Sequence, residues 1–349
     1  MPVPPTGSRR RFQADLHVHS RHSRFPHFRK LRIRSSYSNP LDIYRTARAR
    51  GMDLITITDH ETIDGCLEVL DRLGGAPDFM ISEEVESVWP EAGVKVRLTV
   101  YDITEDQHRE IQRLRGDLHD LMEYLRTRRV LAAFNHFIDT FACAAPRETS
   151  LQEVLSRFEL FEVRDGARPA SYNRVMERLL WEARQGGYPK GFVGGSNAHT
   201  LRRIGATFTA SAARSREEFL EDLRRGETLP FGADGTVAGM AGDTYGILFR
   251  YYGTLLGGPD PDLGPQARGL GLLMAGLTFP LHLVGFPVLA VRMHHARVRS
   301  RLREIQRRLD GTDVLAFRER VGRFAPSGRA GGREGRRAQR DPGQYSDRL

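Results

Sequence analysis

Residues Ala14–Ser20 read ADLHVHS, a short, largely apolar run that closes on two imidazoles. Six later runs share that build: Leu54–His60 (LITITDH), Phe79–Val85 (FMISEEV), Val94–Tyr101 (VKVRLTVY), Val130–Phe137 (VLAAFNHF), Leu160–Gly166 (LFEVRDG) and Gly191–His199 (GFVGGSNAH). Their length and β-branched content suit buried strands. Helical patterns lie between them. Asn39 and Pro40 suit N-cap and N1 with Gly51 as the stop, and Thr104/Gln107, Ser150/Glu153 and Ser215/Glu218 match capping boxes. Alternating strand and helix predicts an α/β protein with a parallel sheet. Seven repeats predict a (β/α)7 TIM-like barrel. A doubly wound open sheet fits less well, because no glycine-rich phosphate loop follows the first run.

The chain has 349 residues, 40% hydrophobic and 28% charged, so it can bury a core, and wholesale disorder is excluded. Two cysteines, Cys66 and Cys143, cannot build a disulfide framework or a multi-Cys zinc site. The opening MPVPPTGSRRR lacks a secretory pattern, which predicts a cytoplasmic protein. The net charge of +9 is local: residues 292–349 hold 16 Arg against 7 acidic residues, and the rest is balanced. A flexible start is expected over 1–11, the barrel over 12–230, a helical region over 231–324 and a disordered basic tail over 325–349. In the third segment, Asp243–Leu256 reads as a helix and Gly257–Gln266 as a linker.

In a parallel barrel the loops after the strands converge on one mouth. There the runs deliver His17 and His19, Asp59 and His60, Glu83 and Glu84, His136, then Asn197 and His199. Imidazole nitrogen and carboxylate oxygen suit a borderline divalent ion, and a bridging carboxylate can hold two. Any one of these histidines alone reads better as a core histidine bonded to backbone; five at equivalent places do not. Asp59 fits an orienting partner of His60 and, equally, a helix cap. Arg164 and Asp165 fit substrate contact or an ordinary salt bridge.

DLHVHS, ITDH, EEV, NH and GGSNAH, in that order, resemble the motifs of the PHP (polymerase and histidinol phosphatase) superfamily, over about residues 12–230. The resemblance implies a distorted seven-stranded barrel and a stand-alone, metal-dependent phosphoesterase using Zn, Mn, Fe or Mg. It implies His17, His19, His60, Glu84, His136 and His199 as ligands, Glu84 bridging. Three positions depart. Arg24 and Arg97 stand where relatives carry ligands, and Asn197 replaces an Asp, so fewer than three ions are expected. His22 or His27 is a replacement ligand near Arg24.

Two functions follow, besides a plain reading of both arginines as surface salt bridges. In the first, a metal-activated water hydrolyses a phosphoester while Arg24, Arg97 and Arg164 hold phosphoryl oxygens, with Asp59 assisting. In the second, a degenerate site binds a phosphorylated ligand as a sensor or scaffold. The partner expected is a phosphorylated small molecule or nucleotide; a homo-oligomer is compatible. Gly269–Val291 runs 23 residues without Asp, Glu, Lys or Arg and is followed by an arginine-rich helix whose apolar face is Val298, Leu302, Ile305 and Leu309. Two expectations stand level: contact with anionic lipid through 269–308, or helices packed on the barrel or a second copy.

Overall fold

The structure is a computed structural model and describes residues 11–23, 34–143, 155–187, 190–257 and 263–311. Arg24, His27, the Ser150/Glu153 pair and the 325–349 tail lie outside them. Among the described residues nine strands form one sheet: β1 (Phe12–Asp15), β2 (Leu54–Ile57), β3 (Phe79–Trp89), β4 (Val94–Tyr101), β5 (Leu131–Asn135), β6 (Leu160–Asp165), β7 (Gly191–Gly195), β8 (Thr207–Ser211) and β9 (Leu229–Gly232). Their order is β7-β6-β5-β4-β3-β2-β1-β8-β9.

Each of the seven expected runs contains part of a strand, the first only Ala14 and Asp15 of β1, but the sheet is not wholly parallel. β4 runs antiparallel to β3 and β5. Only Pro90–Gly93 separate β3 from β4, too few residues for a parallel crossover. β8 and β9 add two antiparallel strands that the periodicity did not indicate, and they carry the sheet to Gly232.

The sheet curls into a nearly closed barrel. Across the gap between β7 and β8, the Thr209 hydroxyl accepts from Gly194 N and donates to Gly194 O, both at 2.8 Å. One side chain thus satisfies a backbone donor and acceptor that lack a ladder partner. Gly195 lets β7 approach the chain after β1, since a Cβ there would lie 2.6 Å from His17 N.

Helices α1 (Pro40–Ala49), α2 (Asp64–Leu73), α3 (Glu105–Leu114), α4 (Leu118–Thr127), α5 (Phe137–Cys143), α6 (Ala170–Gln185) and α7 (Arg216–Arg225) surround the sheet. Asn39 caps α1 through Leu41 N, and Thr104 with Gln107 closes a full capping box on α3. Period-two alternation divides the core. Along β2, Leu54 joins a cluster with Met80, Ala133, Leu160 and Val193, whereas Ile55 and Ile57 pack beside Ile43 and Val69 of α1 and α2. The first cluster, with Phe219, Leu220 and Leu223 of α7, plugs the barrel below the site.

Three more helices follow among the described residues: α8 (Val237–Leu255), α9 (Pro265–Leu283) and α10 (Phe286–Gly311). α8 begins six residues before Asp243, because Thr236 accepts from Gly239 N and draws the glycine-rich stretch into its first turns. The uncharged run is split at Val284–Gly285, with Gly285 at φ +89 and α9 and α10 bent by 75°. No single helix among the described residues is long and apolar enough to cross a membrane; that bent pair is, taken together.

Candidate functional site

Glu84 lies on the same face of β3 as Met80 and Ser82, and so stands directly above the apolar plug. Around it the strand ends converge. Glu84 Oε2 is 2.9 Å from His60 Nδ1 and 3.7 Å from Nε2 of both His17 and His19; Glu84 Oε1 is 3.4 Å from His136 Nε2. The His17 and His19 Nε2 atoms are 3.1 Å apart. His199 stacks on His19 with ring centroids 4.5 Å apart and an interplanar angle of 9°. The parallel bridge Val18–Ala198 sets these two loops side by side.

A second group continues from the first. His17 Nδ1 donates to Glu162 Oε1 at 2.6 Å, so Glu162 orients that ring. His136 Nδ1 lies 3.4 Å from Asp165 Oδ2 and 3.9 Å from Glu162 Oε2. Asn197 directs its amide nitrogen at Asp165 Oδ2, 3.2 Å away. His136 and Asn197 hold left-handed backbone, φ +52 and +47, which turns both side chains into this cluster. Arg168 Nε forms an ion pair with Asp165 Oδ2 at 3.4 Å, and Arg168 Nη2 reaches Asp139 at 2.6 Å and His136 Nδ1 at 3.4 Å.

Burial and charge set the protonation states. Burial opposes the Glu84 anion, but the His60 and His17 imidazoles outweigh it and hold the carboxyl well below its usual range. Burial likewise opposes the His17 cation, yet Glu162 and Glu84 hold it well above. His199 is pushed down to about 3 by burial and by the His60 and His17 charges. His19 is driven down by burial and by His199 and His60. The site thus has too many imidazoles for its protons, so some keep a bare nitrogen lone pair. Asp165 is lowered by His136 and Arg168 against its burial, and Arg168 stays protonated beside Asp139.

This donor set fits a divalent cation. His17, His19 and Glu84 bring three ligand atoms within 4.8 Å of one another, as do His136, Glu162 and Asp165. Among the described residues, His199 Nδ1 and Glu84 Oε2 are buried without a hydrogen-bond partner, which suits them as metal ligands.

Other expected residues are engaged elsewhere. Both Asp59 oxygens accept from Ser20, from N at 2.6 Å and Oγ at 2.5 Å, so Asp59 ties two strand ends together and does not orient His60. A bulge between Glu162 and Arg164 turns Arg164 away; it binds Glu177 at 2.7 Å and the Gly232 carbonyl at 3.0 Å. His22 pairs with Glu68 of α2 at 2.9 Å. Glu83 faces α3, accepting from His108 and Gln112. Arg97 shares the Glu84 face, one pair nearer the opening, between Glu86 and Asn135. It is 3.8 Å from Glu86 and 39% exposed, a rim position. Glu162 and Arg168 escaped the sequence reading. The one available signal for Glu162 is an acid amid LFEV; Arg168 follows the strand by three residues and carries none.

A family described as PHP-associated matches residues 186–228. An uncharacterized protein of Methanocaldococcus jannaschii is 39% identical over 56 residues, 16% of this chain and 33% of that protein, so the match spans about a third of the relative. A two-domain protein of Bacteroides vulgatus, containing a predicted PHP-like metal-dependent phosphoesterase, superposes at TM-score 0.46 with 15% identity, over 64% of this chain and 65% of that one. PsfC of Pseudomonas syringae gives the same TM-score and identity over 70% and 99%. The PHP-associated segment itself contributes Asn197 and His199 to the cluster.

Proposed function

We propose that the chain is a metal-dependent phosphoesterase whose site is the barrel mouth. The observation that carries this reading is the convergence of His17, His19, His60, His136 and His199 with Glu84, Glu162 and Asp165 in one pocket. His17, His19, His60, Glu84 and His199 would hold one divalent ion, and His136, Glu162 and Asp165 a second. Such an ion, when bound, supplies an activated water and neutralises phosphoryl charge. The protein's own groups do the rest. Glu162 keeps His17 Nε2 pointed inward. Asn197 brings no charge, but it steers the Asp165 carboxylate toward His136, which restores an anion beside that position. Arg168 is a permanent cation beside His136 and suits a phosphoryl oxygen. Arg97 at the rim suits a more distant part of the substrate.

The test is metal content per chain, measured with hydrolysis of a generic phosphomonoester and phosphodiester in Mn²⁺. Bound divalent metal with turnover is expected. Metal-loaded protein that binds inorganic phosphate yet hydrolyses neither ester supports the sensor reading, and a chain that binds no divalent metal overturns both.

A further inference from the structure

We propose that the bend between α9 and α10 is a wedge that inserts into one leaflet of an anionic bilayer. From Arg268 to Arg303 there is no acidic residue, and from Gly269 to Val291 no charge. α9 meets the protein along one side, through Ala267, Gly271, Ala275, Thr278 and His282, with the Phe279 ring against Tyr252 at its edge. Gly271 packs on Leu255 and Tyr251 of α8. The rest of its circumference faces outward and is apolar: Leu273 is 61% exposed and Leu277 67%, and Val284 at the corner reaches 81%. A protein this size seldom leaves so much contiguous apolar surface in water.

Three observations select lipid over a second copy of the chain. First, the exposed apolar residues surround α9, whereas a helix that docks on a protein needs only a stripe with a polar border. Second, the two polar side chains between Gly269 and Val291 are satisfied internally, as hydrocarbon demands. Thr278 donates to Met274 O at 2.8 Å; His282 takes Tyr252 OH on its ring and Tyr245 OH, at 2.9 Å, on its carbonyl. Third, the charge beside the wedge has one sign. α10 anchors to the body by Val291, His295, Val298 and Leu302, the last two in the main core, and turns Arg292, Arg297, Arg299 and Arg303 outward. A run of exposed arginines next to an inserted segment complements anionic headgroups.

The wedge also adjoins the barrel mouth. His294 of α10 is 3.3 Å from Arg168, which contacts His136, and Arg301 is 3.6 Å from Asp139. A chain held by this bend therefore carries its site at the membrane surface. The inference does not require turnover.

Flotation of the full chain on vesicles of phosphatidylcholine, with and without phosphatidylglycerol, tests it. Recovery with the anionic vesicles is expected, reduced by high salt and lowered ~tenfold by Leu273→Glu with Leu277→Glu. Unchanged melting and particle mass in that variant show that neither unfolding nor a lost dimer is responsible. A chain that floats with neither vesicle overturns the proposal, and so does a variant that loses a dimer while still floating. Should the variant not fold, Val284→Trp takes its place. Its emission shifts to the blue on adding anionic vesicles if the corner inserts, and an unmoved spectrum refutes insertion.

Discussion

Glu84 at the barrel mouth is 1% exposed, and Val284 at the α9–α10 corner is 81% exposed. Each stands on the wrong side of the usual division between buried apolar and solvated charged groups. The mouth gathers carboxylates and imidazoles out of water, an arrangement that costs several kcal/mol per uncompensated charge. The corner leaves leucines and valine in water, at about 25 cal/mol for each Å² of apolar area. Both features persist in one well-packed protein. They make sense as halves of interactions, one completed by a cation and the other by hydrocarbon. At the mouth, buried ligand atoms lack hydrogen-bond partners; at the bend, the polar side chains Thr278 and His282 have them.

The largest effect expected comes from Glu84→Gln, which keeps the shape at the mouth and removes the anion that four imidazoles face. Bound metal and phosphoester hydrolysis should both fall about a hundredfold or more. Elemental analysis and an ester assay read the two together. A variant that retains its metal would show that the second group, at His136, Glu162 and Asp165, holds the ion unaided.

Gly195→Ala comes next. Its methyl group would meet His17 N at 2.6 Å and the His17 Cβ, and overpacking of this kind costs ~1–3 kcal/mol. The melting temperature should fall by several degrees and metal affinity with it, because the displaced residue is His17. Gly276→Ala on α9 is the counterpart: nothing lies within 4 Å of its added Cβ. In a helix that exchange stabilises by ~0.5–1 kcal/mol. Opposite signs in thermal melts would separate the closed region from the open one, and like signs would erase the distinction.

Much of this was legible beforehand, for identifiable reasons. Strand ends in an α/β barrel converge, so ADLHVHS, ITDH, EEV, NH and GGSNAH announce their meeting place. The capping residues Asn39 and Thr104 act locally and are read locally. What periodicity could not show depends on connection and tertiary context. The antiparallel β4 follows from the short Pro90–Gly93 turn, and β8 hides in TFTAS, where small polar residues break the apolar pattern. Arg164 and Asp165 look interchangeable as strand-end charges until a bulge turns one outward and the other inward. Asp59 is spent on Ser20, a partner 39 residues away that no spacing rule picks out.

A buried charge outside the mouth sharpens the contrast. Lys190, at the foot of β7, donates to the Phe158 carbonyl, and burial brings its ammonium down to about 8. The lowered folded value means that the unfolded chain binds more protons between that pH and ~10.5, so stability rises with pH across the window. Lys190→Met removes the titration. The difference in melting temperature between variant and parent should therefore move in the parent's favour from about pH 7 to pH 10, by a few degrees. A constant difference would mean that this amine is not held at the cost its burial suggests, and that buried charge outside the mouth is also comfortable.

The smallest effect expected is the most diagnostic for the bend. Leu277→Gln in a core would leave an unpaired amide among hydrocarbon side chains and cost several kcal/mol. At 67% exposure on α9 the same change removes little buried area, and glutamine is as good a helix former as leucine. In detergent-free buffer its effect on chemical denaturation should stay within about 0.5 kcal/mol. A loss of 2 kcal/mol or more, on the order of a buried Leu truncation, would mean that Leu277 is covered in solution by another copy of the chain. The apolar corner would then already have its partner in water, and the symmetry drawn with the barrel mouth would fail on that side alone.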